Sequence, residues 1–130
     1  MKKLILSFAL LTSVLAVSCK KEDNVKPQGA PAPAKIVNVE YRVQSASGNV
    51  NVDYTGTDAD GKLATLHAQV NRTEESFTFS YQSGNQFSIT ASNVNPSHSV
   101  VQVQVYLDGV LKVENSTTDP SNPAVAQGSF

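Results

Sequence analysis

Few side chains in this 130-residue chain could do chemistry. Cys19 is the single cysteine, so it has no disulfide partner within the chain. The two histidines, His67 and His98, stand in no recognisable catalytic motif. A nucleophilic triad needs a nucleophile, a base and an orienting acid in contact, and a zinc site needs three or four clustered ligands. The sequence predicts neither arrangement, no cofactor and no enzymatic activity.

The segment Asp58-Ala59-Asp60-Gly61 is similar to the start of a calcium loop. It lacks the later oxygen ligands and the closing glutamate of the helix-loop-helix version. Turn formation explains both aspartates, because Asp and Gly each favour turn backbone conformations. Asp53 and nearby carbonyl oxygens could still contribute, so cation binding by the Asp58–Asp60 turn stays an open alternative.

Residues 1–18 have the pattern of a secretory signal peptide. Lys2 and Lys3 form a basic start, and an apolar run from Leu4 to Val17 follows. That run is too short to span a bilayer as a helix. We therefore expect the chain to be exported and the first 18 residues to be removed.

Ala16-Val17-Ser18-Cys19 resembles the lipobox of bacterial lipoproteins. The resemblance implies cleavage before Cys19, attachment of a diacylglycerol to its thiol, and acylation of the new amine. Two or more acyl chains give stable membrane attachment, whereas one chain alone is marginal. An ordinary signal-peptidase site is the alternative, because Ala16 and Ser18 are the small pair that such an enzyme needs.

The charged run Lys20-Lys21-Glu22-Asp23 resembles the export tag of Bacteroidota-type surface lipoproteins. The resemblance implies a position on the outer face of the outer membrane, with a periplasm-facing position as the alternative. Residues 19–34 then read as the lipidated cysteine and a flexible tether, since they are rich in proline and small residues and lack apolar periodicity.

Residues 35–130 are predicted to form one β-sandwich domain. Apolar residues alternate with polar ones in several short runs, and no window shows sustained helical spacing. Seven or eight strands are expected, with an opening strand near 35–44 and a closing one near 124–130. We therefore predict an all-β, immunoglobulin-like antiparallel sandwich, with a small closed barrel as the alternative.

Two Asp-Gly turns allow hairpin registers to be predicted. A three-residue loop with glycine in the left-handed position keeps apolar residues on one face, whereas a two-residue turn mixes charge into that face. With Ala59-Asp60-Gly61 as the loop, Tyr54 pairs with Leu66, and Asp53 lies opposite His67 on the outer face. With Leu107-Asp108-Gly109 as the loop, the predicted pairs are Val105–Leu111, Val103–Val113, Gln104–Lys112, Gln102–Glu114 and Tyr106–Val110.

A third hairpin is predicted around Ser83-Gly84-Asn85. It would align Tyr81 with Phe87 and Phe79 with Ile89, which keeps four apolar side chains on one face.

Three segments resemble the strand pattern of MmpS-type transport accessory proteins. They are Val39–Val43, Val50–Tyr54 with the Asp58–Gly61 turn, and Val105–Gly109. Members of that family are small membrane-tethered sandwiches that work beside lipid exporters. The family's proline-tryptophan element has no counterpart, because this chain has no tryptophan.

Charge and composition narrow the function to binding or assembly. Residues 35–130 carry nine acidic and five basic side chains, which argues against nucleic-acid binding. Tyr106 and Asp108, at a hairpin tip, are the candidate interaction residues. The expected function is a lipid-anchored, non-enzymatic binding module with a protein or glycan partner. The alternative is an accessory subunit of a transporter or envelope complex.

Overall fold

The computed structural model describes residues 29–94 and 99–130. The predicted signal peptide, Cys19, the predicted export tag, most of the predicted tether, and His98 lie outside the described residues. Residues 29–35 form no strand and are exposed. All the strands lie in the compact unit Ala32–Phe130.

The described part of this unit contains eight β-strands, within the seven or eight that the alternation predicted. They are β1 (Ile36–Ser45), β2 (Val50–Thr57), β3 (Leu63–Val70), β4 (Glu74–Gln82), β5 (Gln86–Asn93), β6 (Val101–Leu107), β7 (Val110–Thr117) and β8 (Ala124–Ser129).

The strands form two four-stranded antiparallel sheets. Sheet A has the order β4-β1-β6-β7, and sheet B has the order β3-β2-β5-β8. The predicted sandwich is therefore confirmed, and the closed barrel is not what forms. In immunoglobulin domains the first and second strands share a sheet, whereas β1 and β2 are in different sheets. The likeness to that fold lies in the two-layer architecture and not in the connectivity.

The core lies between the two sheets and is built mainly from valine. Burial alternates along β1, β5 and β6, because successive side chains on a strand point to opposite faces. Each fully buried valine stabilises the fold by about 1.5–3 kcal/mol. The buried apolar residues are Val37, Val39, Tyr41, Val43, Val50, Val52, Val70, Phe87, Ile89, Ala91, Val101, Val103, Val105, Leu107, Ala124 and Ala126.

Tyr41 is the largest fully buried side chain. Its ring lies 5.8 Å from the rings of Tyr54 and Phe79. Its hydroxyl approaches the backbone of Ser88 and the side chain of Thr55 on the facing sheet, but no hydrogen bond of full geometry reaches it. Burial raises the pKa of the Tyr41 phenol well above its usual value.

The first Asp-Gly hairpin has the predicted register. Tyr54 pairs with Leu66, and Asp53 pairs with His67. Asp58 and Lys62 close a three-residue loop through the hydrogen bond from the Asp58 N–H to the Lys62 carbonyl, 2.9 Å. Gly61 has a φ of 74°, which is the left-handed position that this loop type needs.

The predicted third hairpin is wrong. β4 pairs with β1, so Tyr81 lies opposite Val37 and Phe79 lies opposite Val39. β5 pairs with β2 and β8, in the other sheet. The loop at residues 83–85 therefore carries the chain from one sheet to the other. Alternation could not distinguish these cases, because strands in facing sheets also point their apolar faces into one core.

The predicted three-residue loop of the second Asp-Gly hairpin is also wrong. Asp108 and Gly109 form a two-residue turn between Leu107 and Val110. Their φ values are 49° and 79°, and this turn type requires positive φ at both positions.

A β-bulge then corrects the register of this hairpin. Tyr106 pairs with Leu111, whereas Val105 pairs with Val113, so Lys112 is an extra residue in β7. None of the predicted pairs therefore forms. Val103 lies opposite Asn115, Gln104 opposite Glu114, and Gln102 opposite Ser116. The bulge returns Val113 to the inner face and leaves Leu111 exposed.

Candidate functional site

The candidate interaction residues Tyr106 and Asp108 lie at the tip of the β6–β7 hairpin. The carboxylate of Asp108 accepts hydrogen bonds from the Asn38 N–H and from the Lys35 ammonium, both at 3.0 Å. The Asn38 N–H and the Lys35 ammonium together lower the pKa of Asp108. The turn is therefore fastened to the start of β1 and is not a free loop.

Asn38 extends this contact to β4. The hydroxyl of Ser80 donates to the Asn38 side-chain oxygen at 2.6 Å, and the Asn38 side-chain NH₂ lies 3.5 Å from the Asp108 carboxylate. The backbone N–H of Asp108 also donates to the Asn38 carbonyl at 2.8 Å. Two strands thus hold the turn: β1 contacts it directly, and β4 supports that contact through Asn38.

Tyr106 is half-buried on the outer face of sheet A. The Arg42 guanidinium carbon lies 4.5 Å from the centre of its ring, a cation–π arrangement. Arg42 Nε donates to the Glu40 carboxylate at 2.7 Å, and this contact raises the pKa of the arginine. The Tyr106 hydroxyl donates to the Gln104 side-chain oxygen at 3.2 Å. The ring is therefore held in place and stays partly exposed.

Exposed apolar side chains surround this turn. Val110 is 57% exposed and Leu111 is 45% exposed. Ile36, at the same end of sheet A, is 57% exposed.

Leu111 lies opposite Tyr106 on the outer face, whereas Val110 lies opposite Leu107 and points to the other side of the hairpin. We define the tip surface as Tyr106, Asp108, Val110 and Leu111, which together cover both sides of the hairpin end. The sequence prediction missed Val110 and placed Leu111 in the core, because the bulge at Lys112 had no signal that alternation could detect.

A shallow cleft lies beside the tip surface on the outer face of sheet A. Its volume is about 410 Å³, and Asn38 and Ser80 contribute polar groups to it. Gly109 of the turn forms part of its wall. The lining residues are Asn38, Val39, Glu40, Thr78, Phe79, Ser80 and Gly109. This combination of a fixed turn, exposed aliphatic groups and a polar cleft can bind a partner surface.

The outer face of sheet B has a different character. His67 Nδ1 lies 2.6 Å from the Asp53 carboxylate, and the two side chains are 75% and 57% exposed. This is the surface pair that the sequence predicted. A contact between two side chains as exposed as these contributes at most about 1 kcal/mol to stability. The pair lines an open depression of about 500 Å³ with Asn51, Ala68, Gln69 and Ser92.

The Asp58 carboxylate takes part in its own turn. It accepts the backbone N–H groups of Asp60 and Lys62 at 3.0 and 2.9 Å. The side chain therefore closes the turn in the manner expected of an Asx turn. Across residues 29–94 and 99–130, no group of three or more His, Cys, Asp or Glu side chains could hold a metal ion.

The sequence matches no protein-family model and no curated protein. Within the described part of the chain, no helix is long and apolar enough to cross a membrane.

Proposed function

We propose that this chain is a lipid-anchored lipoprotein of the outer membrane, attached through Cys19 and exposed on the cell surface. Its β-sandwich is a non-enzymatic binding module that recognises a protein partner through the tip surface. The lipobox-like sequence and the unpaired thiol support the anchor. The Bacteroidota-type tag supports the outer face.

One observation carries the binding role. Val110 and Leu111 are exposed next to a turn that Asn38 and Lys35 hold in place through Asp108. Apolar groups held in one conformation lose little entropy when a partner covers them. Tyr106 adds an aromatic edge, and aromatic residues are enriched in protein interfaces. A protein surface is therefore favoured over a glycan as the partner.

Radioactive palmitate labelling tests the anchor. The parent chain should carry the label and sediment with the outer membrane, whereas Cys19→Ser should be unlabelled. External protease should digest the parent chain on intact cells if the domain faces outward. An unlabelled, water-soluble parent chain would contradict the anchor and leave the binding role untouched.

Site-specific photo-crosslinking in intact cells tests the tip surface. A photoreactive amino acid at Leu111 should give one discrete product with a protein partner, and Val110→Asp should abolish it. The same amino acid at Thr65, on the outer face of sheet B, is the matched control and should give none. Equal products from both positions, or none from Leu111, would reject this surface.

The accessory-subunit alternative rests on the resemblance to MmpS-type proteins. It predicts that the product from Leu111 contains an integral membrane transporter. A binding module predicts a product with a soluble or surface protein.

A further inference from the structure

β4 is an edge strand of sheet A. It has nine residues and pairs with β1 along one side. Among the described residues, no strand pairs with its other side. An edge strand presents unpaired backbone N–H and C=O groups that can accept another strand.

Beyond Glu74 and Glu75 at its start, this edge lacks the features that normally block strand addition. Charged residues, proline and bulges protect edges, and residues 76–82 contain neither a charged residue nor a proline. The pairing of β4 with β1 is regular over nine residues. At the other edge of sheet A, β7 carries a bulge at Lys112 and a charge at Glu114.

The inner face of β4 is incompletely covered. Phe77, Phe79 and Tyr81 are half-buried, whereas the core residues of β1 are fully buried. Phe77 stacks on Tyr54 with ring centres 4.4 Å apart. A strand added along this edge would cover the open sides of these rings.

The five central residues of β4 are symmetric in sequence about Thr78. Ser76-Phe77-Thr78-Phe79-Ser80 reads the same in both directions. A two-fold interface places the same patch of two copies together, so an antiparallel pair of identical strands must be self-complementary. We propose that β4 pairs with β4 of a second copy of this chain, antiparallel and centred on Thr78.

This register makes favourable cross-strand pairs. Thr78 faces its own copy, Phe77 faces Phe79, and Ser76 faces Ser80. Aromatic pairs and Thr or Ser pairs are among those that stabilise antiparallel sheets.

Charge also fits this register. Glu75 of one copy faces Tyr81 of the other, and Glu74 faces Gln82, so no like charges meet. The acidic residues of the two copies lie at opposite ends of the interface. β3, one of the two edge strands of sheet B, has no such symmetry, because different residues, Leu66 and His67, flank its midpoint.

The dimer goes beyond the proposed function and does not depend on it. It joins two copies of sheet A into one continuous sheet of eight strands, twice the four of one copy. Thr78 and Ser80 also line the cleft beside the tip surface. The two clefts would therefore open on the same face of the joined sheet.

Cysteine crosslinking in the full chain tests the register. Directly opposite residues have Cβ atoms about 4.5–5.5 Å apart, close to what a disulfide spans. Under mild oxidation of cells, Thr78→Cys should form a covalent homodimer. Ser76→Cys alone should not, because position 76 of the second copy lies four residues along, about 13 Å away.

A mixed experiment sharpens this test. Co-expressed, differently tagged Ser76→Cys and Ser80→Cys chains should crosslink to each other, although neither dimerises alone. The parent chain controls for Cys19, and Glu114→Cys on the β7 edge should give no dimer. Thr78→Lys should abolish dimerisation measured by chemical crosslinking, whereas Thr65→Lys on β3 should not.

Three results would overturn the proposed pairing of β4 with β4. Failure of Thr78→Cys to dimerise, or equal dimerisation of Ser76→Cys, overturns the proposal. A Thr78→Cys adduct with a different protein also overturns it. The anchor and the tip surface are unaffected by any of these results, because their tests use Cys19, Leu111 and Val110.

Discussion

The two Asp-Gly hairpins have similar turn sequences but differ in loop length and in the partners of their aspartates. In β2–β3 the Asp58 carboxylate accepts backbone N–H groups of its own loop. In β6–β7 the Asp108 carboxylate contacts Asn38 and Lys35, which are 70 and 73 residues away in sequence.

The Asp108-Gly109 pair takes the two-residue turn that this dipeptide favours locally, and the bulge at Lys112 then restores the apolar register. The Asp60-Gly61 pair instead lies in a three-residue loop that Asp58 closes. The Asp-Gly motif therefore does not by itself determine the length of the loop.

The largest expected changes in the free energy of unfolding come from the core valines below the two hairpins. They test whether the two parts of the core contribute equally to stability. Val52 is 1% exposed and Val105 is 0% exposed. Val52→Ala and Val105→Ala should each lower the free energy of unfolding by about 2 kcal/mol, from lost burial and the resulting cavity. Val110→Ala is the exposed control, with a change within about 0.5 kcal/mol. Urea denaturation measures all three, and a large difference between the two core variants would break the equivalence.

The next effect concerns the glycines of the two turns. Gly61 and Gly109 have φ values of 74° and 79°, and no atom lies within 4 Å of an added Cβ at either position. Gly61→Ala and Gly109→Ala should therefore each cost about 1–2 kcal/mol through backbone conformation alone. Gly29→Ala, outside the strands, should have no effect. A loss of stability in only one of the two variants would show that the other turn can change conformation.

A smaller effect tests the bulge that distinguishes the second hairpin. Val113 packs against the core, whereas Leu111 is 45% exposed. Val113→Ala should destabilise by about 1 kcal/mol, and Leu111→Ala by less than about 0.5 kcal/mol. Thermal or urea unfolding distinguishes them. The reverse order would mean that β7 has the register without the bulge.

The smallest effect is local and depends on pH. The lowered pKa of Asp108 means that its carboxylate stabilises the folded turn above the ordinary aspartate pKa of about 3.9. This contribution is lost as the pH falls through the lower folded-state value. The Asn38 amide resonance should shift with a midpoint below about 3.9, and Asp108→Asn should remove the shift. A midpoint at or above the ordinary value would contradict the contact.

Alternation predicted the strands and the two-layer fold because both depend on local spacing. It also predicted the contact of His67 with Asp53, because one hairpin fixed that register. It could not assign β4 and β5 to different sheets, since a hairpin and a sheet crossing leave the same apolar pattern. The tip surface was found only in part, because the bulge at Lys112 and the contact of Asp108 with Asn38 depend on tertiary structure.

The buried phenol of Tyr41 gives the protein an internal optical reporter. The chain has four tyrosines and no tryptophan, so its near-ultraviolet absorbance comes mainly from phenol groups. The Tyr41 phenol resists ionisation while the two sheets enclose it. Its late appearance as phenolate in an alkaline titration would therefore signal that the layers have separated, without any added label.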